Sequence, residues 1–114
     1  PAIRQCRYAA VAADLQATAQ GARSIACDLE GNIWAGNYTA KRYYFLDGST
    51  GAILRTNDLT ALGHSPYGAI VDANGILWSA EASTDVLWLD PVSNTASNLA
   101  IGHTTYGLGL DREG

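Results

Sequence analysis

One pattern occurs three times in this chain and limits what it can fold into. Residues 24–31 read Ser-Ile-Ala-Cys-Asp-Leu-Glu-Gly, residues 68–75 read Gly-Ala-Ile-Val-Asp-Ala-Asn-Gly, and residues 107–114 read Gly-Leu-Gly-Leu-Asp-Arg-Glu-Gly. A small or apolar stretch ends in Asp28, Asp72 or Asp111, and Gly follows three positions later. The match continues outward in both directions. Trp34 and Trp78 stand at the same place after the Asp, and Leu46-Asp47 through Gly51 corresponds to Leu89-Asp90 through Asn94. Gly63-His64 through Tyr67-Gly68 corresponds to Gly102-His103 through Tyr106-Gly107. Agreement at several separate points in the same order identifies a tandem repeat, which has to be recognised before any element is assigned.

Each unit resolves into four short strands. Strand A is the apolar run before the Asp (24–27, 69–71 and 108–110), strand B carries the Trp (32–36 and 76–80), strand C is aromatic or β-branched (42–46 and 86–89), and strand D follows (52–56 and 96–100). Between A and B the Asp carboxylate bonds its own backbone, and Gly supplies the positive φ that closes a tight turn. Between C and D the turn ends on Gly51 or Asn94, residues that tolerate left-handed geometry. A period of about forty residues with four strands per unit predicts an all-β fold of β-propeller blades, each a four-stranded antiparallel repeat. The expected division is residues 1–20 as the end of a preceding blade, 21–62 and 63–102 as blades, and 103–114 as the first strand of the next. Residues 9–19 are Ala-rich and favour helix by propensity, whereas the register favours strand there. Two blades leave a ring incomplete, so closure requires oligomerisation or further blades. Pro1 in place of an initiator Met fits a processed chain or a piece of a longer one.

Composition narrows the function. The chain is 47% hydrophobic and 16% charged, a globular balance, and no apolar run reaches the length of about eighteen residues that a membrane helix needs. A net charge of −4 with scattered basic residues speaks against nucleic acid, and no membrane partner is expected. Cys6 and Cys27 match no zinc spacing. A disulfide between them and two buried thiols are both open, and a disulfide would favour a secreted or periplasmic setting.

Topology brings the B–C and D–A connections to one end of every blade. Loops that share a face are where repeat proteins bind. That end gathers His64, Tyr67, Glu81, His103 and Tyr106 as candidate ligand-binding residues, with Ser65, Ser83, Asp85 and Thr104 beside them and Arg23, Asn37, Tyr38 and Lys41 from the first unit. The mixture suits a small polar ligand. His64 and His103 are repeat-equivalent, which favours a loop-capping role over metal ligation, and Tyr67 and Tyr106 either pack between blades or touch a ligand. Trp34 and Trp78 are expected in the core between blades, and Trp88 either between blades or facing outward. The three Asp residues are read as turn formers rather than a carboxylate ring. Asn37-Tyr38-Thr39 matches a glycosylation sequon. No catalytic residue and no metal site is assigned, and no cofactor is expected.

The second unit, from Pro66 to Asn94, resembles the blades of the streptogramin lyase-like propellers and, more broadly, NHL- and SMP-30-type repeats. Those units run Pro-x-Gly, an apolar stretch, Asp-x-x-Gly, then a Trp strand ending in Glu, and an Asp-Pro turn. The first unit departs from the pattern, with Arg23-Ser24 in place of Tyr-Gly and Asn37 in place of Glu. The resemblance implies a propeller architecture. It also implies an alternative function, a metal-dependent lyase or hydrolase using a Glu-x-His pair with Mg²⁺ or Ca²⁺. Glu81 stands where that Glu belongs, but position 83 is Ser83, so the pair is incomplete and no lyase site carries over. The reading that remains is a binding or interaction module with a small polar ligand or a protein partner on the loop face, completed by further copies of itself or further blades.

Overall fold

A computed structural model describes residues 22–114. The expected end of a preceding blade at 1–20, and Cys6 within it, lie outside the described residues. The fold is all-β, with two four-stranded antiparallel sheets in simple meander order. The first contains β1 (Ala22–Cys27), β2 (Ile33–Asn37), β3 (Arg42–Leu46) and β4 (Ile53–Asp58). The second contains β5 (Ala69–Val71), β6 (Leu77–Ala80), β7 (Asp85–Asp90) and β8 (Thr95–Ala100). One turn of 3-10 helix, Thr60–Leu62, lies on the connection between the sheets and is closed by Gly63 at φ 68.

The turns follow from local chemistry. Asp28 Oδ1 accepts hydrogen bonds from the backbone N–H of Glu30 and Asn32, and Asp72 Oδ1 accepts from Asn74 and Ile76. Asp111 Oδ1 accepts from Glu113 in the same way. The Gly that ends each turn has positive φ: 87° at Gly31, 82° at Gly75 and 87° at Gly114. On the C–D side Asp47 and Asp90 cap their turns, which end on Gly51 (φ 76) and Asn94 (φ 56). The expected strand at 108–110 is not formed. A β-strand exists only through pairing, and the 108–110 backbone has no strand partner among the described residues.

Period-two alternation decides which side of each sheet meets the other. Ala26, Trp34, Phe45 and Arg55 are cross-strand neighbours on one face of the first sheet, with Ser24, Gly36, Tyr43 and Asn57 in the adjacent row. On the second sheet Val71, Leu77, Leu89 and Ala96 share a face with Ala69, Ser79, Leu87 and Asn98. These two faces stack, and Ala26, Trp34, Tyr43, Val71, Leu77, Leu87 and Leu89 form one buried core with Leu59 from the connection. Trp34 is fully buried, its ring 4.5 Å from Phe45. Truncating a core Trp of this kind costs about 3–5 kcal/mol. Arg55 lies over the Trp34 ring at 5.4 Å and donates from Nη1 to the Pro91 carbonyl of the second sheet. Asn57 Nδ2 donates to Asn94 Oδ1, and Asn98 Nδ2 donates to the Leu62 carbonyl, so the rim of the interface is polar.

Trp78 does not share the environment of Trp34. It lies on the face of the second sheet that points away from the first, paired with Trp88, and both rings are only half-buried. Its indole N–H donates to Asp72 Oδ2, whereas Trp34 Nε1 is buried with no hydrogen-bond partner. Cys27 at the end of β1 is disulfide-bonded. The two-thiol alternative therefore falls away, and the only other cysteine in the sequence is Cys6.

Candidate functional site

The B–C and D–A connections do meet at one end of the two sheets, and there the structure joins four of the five candidate residues into two adjacent features. The first is an aromatic ladder. Arg23 stacks over Tyr38 at 4.9 Å, Tyr38 meets Tyr67 edge-on at 6.0 Å, and Tyr67 meets Tyr106 edge-on at 5.5 Å. Such edge-to-face contacts place a positive ring edge on a negative ring face and contribute roughly 0.5–1.5 kcal/mol each. Tyr106, at the end of the ladder, is exposed. Repeat equivalence underlies the geometry, because Arg23, Tyr67 and Tyr106 hold the same place before Asp28, Asp72 and Asp111.

The second feature is a buried hydrogen-bond relay centred on His64. Tyr43 Oη donates to Ser79 Oγ at 2.6 Å, so Ser24, 2.7 Å from the same phenol, is the donor to it. Ser79 Oγ lies 2.7 Å from His64 Nε2. Ser79 Oγ also donates to the Ala80 carbonyl at 3.5 Å. Nδ1 has no hydrogen-bond partner and faces Glu81 Oε1 at 3.7 Å. Glu81 is held by the Ser65 N–H on Oε2 and by the Ser83 hydroxyl on Oε1, and Lys41 Nζ donates to Ser65 Oγ at 2.6 Å. Lys41 (φ 53) and Ala82 (φ 60) are non-glycine residues in left-handed geometry, one in each B–C loop flanking this cluster.

Burial sets the electrostatics. Desolvation of the fully buried His64 lowers its pKa from the ordinary 6.5, with Glu81 opposing, Lys41 reinforcing and Asp85 opposing. The imidazole is therefore neutral at physiological pH. Burial likewise pushes the Tyr43 phenol up to about 12, against the two serine hydrogen bonds that lower it. At Asp72 burial raises the pKa, but hydrogen bonds from the Trp78 indole and from the Ile76, Asn74 and Gly75 backbone outweigh it, and the net shift is downward.

The connectivity Ser79–His64–Glu81 is that of a serine–histidine–acid relay. Ser79 and His64 have no exposed surface, however, and the Ser79 hydroxyl accepts from Tyr43 inside the interface. The relay works as a polar seam between the sheets, and Ser79 itself is not offered to solvent. His103, repeat-equivalent to His64, is exposed on the loop after β8 and takes no part in the seam. Sequence reasoning grouped it with His64 because the two share a place before the Asp. The partners of His64 come instead from β6 and the residue that follows it in its own unit, at Ser79 and Glu81.

Two further features concern residues outside the seam. Asn37 of the sequon is buried at 1% exposure, and its Oδ1 accepts from the Ala40 N–H, so its amide is sealed in the fold. A groove of about 220 Å³ opens at the opposite end, between the Asp turns, lined by Asp28, Leu29, Glu30, Asn74, Gly75, Pro91 and Val92. The sequence reading placed nothing there, because it assigned those residues to turn formation alone. Among the described residues no group of three or more His, Cys, Asp or Glu is arranged to hold a metal ion. No protein-family model matches the chain, and no curated protein matches it.

Proposed function

We propose that the two sheets are blades of a β-propeller-type ring akin to the streptogramin lyase-like, NHL and SMP-30 repeats, acting as a binding module for a small polar ligand on the B–C/D–A end. The observation that carries this reading is the Arg23–Tyr38–Tyr67–Tyr106 ladder beside Lys41 and Glu81. Aromatic faces with an adjacent cation and carboxylate are the groups that take up sugars and short peptides. Further copies of the chain, or further units, would complete the ring. The disulfide at Cys27 fits an oxidising compartment.

The test is a titration of the ¹⁵N-labelled protein with a panel of monosaccharides, amino acids and dipeptides. The reading expects saturable amide shifts in residues 37–41, 64–67 and 103–106, lost in Tyr67→Ala. Shifts confined to the groove around Glu30, Asn74 and Val92, or no shift with any member of the panel, would overturn it.

One observation favours the metal-dependent lyase or hydrolase alternative: the unpartnered Nδ1 of buried His64 faces the Glu81 carboxylate. On that reading Mg²⁺ or Ca²⁺ raises the thermal midpoint and Glu81→Ala removes the rise. An unchanged midpoint in millimolar metal counts against it.

A further inference from the structure

The shape of the tyrosine ladder and the groups it leaves open decide which ligand it fits. The Tyr38, Tyr67 and Tyr106 rings succeed one another at 6.0 and 5.5 Å, and neighbours stand close to perpendicular, at 83° and 72°. Perpendicular neighbours make a row of notches, each between the face of one ring and the edge of the next, rather than a flat platform. The backbone beneath is already tied. Tyr67 N–H donates to the Ala80 carbonyl, Ala82 N–H to the Thr105 carbonyl and Thr105 N–H to the Ser83 carbonyl. Tyr67 and Tyr106 therefore stand on loops bonded to the same 80–83 segment before any ligand arrives. Tyr38 and Tyr67 are half-buried, and Tyr106 is 61% exposed.

The polar groups of the ladder are donors. Among the described residues none of the three phenols has a hydrogen-bond partner, so each has its proton to give. Arg23, stacked on Tyr38, and Lys41, which has two ammonium protons beyond the one on Ser65, add N–H donors. The Glu81 carboxylate beside them is 13% exposed and has both oxygens engaged, by the Ser65 N–H and the Ser83 hydroxyl. A ligand with many acceptors and few donors matches this set better than a sugar, whose hydroxyls are both.

We infer that the ladder takes a proline-rich segment of a partner protein in the polyproline II conformation. This rests on the loop-end binding reading above and narrows it to one class of peptide. Such a chain has no internal hydrogen bonds, so its carbonyls are free to accept, and proline has no N–H to leave unpaired. It rises about 3.1 Å per residue and so passes one ring about every two residues. The compact pyrrolidine suits a notch between ring face and ring edge. Its conformation exists before docking, so little chain entropy is lost, which is how aromatic-lined grooves take such segments.

The experiment titrates the ¹⁵N-labelled full chain with capped hexaproline, with a capped Gly-Ser peptide of the same length, and with the monosaccharides. Hexaproline is expected to give saturable amide shifts in residues 37–41, 64–67 and 103–106, and the Gly-Ser peptide to bind at least about tenfold more weakly. Tyr106→Ala, at an exposed position where the rest of the amide spectrum reports an intact fold, should weaken hexaproline about tenfold. Tyr106→Phe keeps the ring, removes the donor and should weaken it about threefold. Equal affinity for the Gly-Ser peptide, or hexaproline affinity unchanged in both Tyr106 variants, overturns the inference. Saturable shifts of the same residues with a monosaccharide and none with hexaproline overturn it too, and leave the loop-end binding reading standing. No shift with any ligand, or shifts confined to the groove around Glu30, Asn74 and Val92, would sink both.

Discussion

The Tyr43 hydroxyl on the first sheet donates to the Ser79 hydroxyl on the second at 2.6 Å, beside the apolar core that the two sheets share. Tyr43 is 36 residues from Ser79, and the bond ties the two sheets in one register. Tyr43→Phe keeps the ring and removes the donor, leaving the Ser24–Tyr43–Ser79–His64 relay broken in the middle. The expected loss is about 1–3 kcal/mol of unfolding free energy, read from urea midpoints. Combined with Ser79→Ala, the two losses should be non-additive by at least about 0.5 kcal/mol. Strict additivity would mean that the bond does not couple the sheets.

Acid should weaken the fold through His64. Its folded pKa is depressed, chiefly by burial, so the unfolded chain binds the proton more readily. The stability gained from the neutral ring is present above 6.5 and declines as the pH falls below that value toward the folded pKa. Urea midpoints should therefore drop between pH 7.5 and pH 5.5, and His64→Gln should flatten that drop. The same slope in wild type and variant would remove His64 as the cause. At the other extreme the raised Tyr43 pKa predicts stability lost as the pH climbs above 10.0, because unfolding then releases a proton that the fold retains.

How much of this was legible in the sequence depends on the range of the interaction. The turns were legible because Asp28 and Asp72 bond backbone groups two and four residues away. The strands were legible as short apolar, aromatic or β-branched runs bounded by those turns and repeated in each unit. Which side of each sheet is covered was not legible, since Trp34 and Trp78 look identical in a repeat and only the stacking order of the sheets separates them. His64 and Ser79 are 15 residues apart, and a buried serine on a strand gives no local sign that a histidine caps it. The third strand at 108–110 failed for a related reason: its residues have strand character, but strand formation needs a partner.

Gly36 is required by close approach. A Cβ there would lie 2.5 Å from Pro66 Cβ, 2.7 Å from the Tyr43 ring and 2.9 Å from Ser24 Cβ. Gly36→Ala forces these groups apart in a closed interface and should destabilise by about 1–3 kcal/mol. A midpoint within error of wild type would show that the sheets are not packed this closely.

Reduction offers a separate check. Opening the disulfide at Cys27 should lower stability by about 2–4 kcal/mol, visible as a fall in the thermal midpoint on adding dithiothreitol. An unchanged midpoint, with loss of the disulfide verified by mass, would show that the bond does not constrain the fold.

The central claim is that the first sheet stacks its Trp34 face on the second while the second turns its Trp78 face away. Nuclear Overhauser contacts of the indole rings measure this directly. The account predicts cross-peaks from the Trp34 ring to methyl groups of the second sheet at Leu77, Leu87 or Leu89, and none from Trp78 or Trp88 to Ala26 or Ala35 of the first. Cross-peaks from Trp78 to those first-sheet methyls, with Trp34 lacking second-sheet partners, would contradict it.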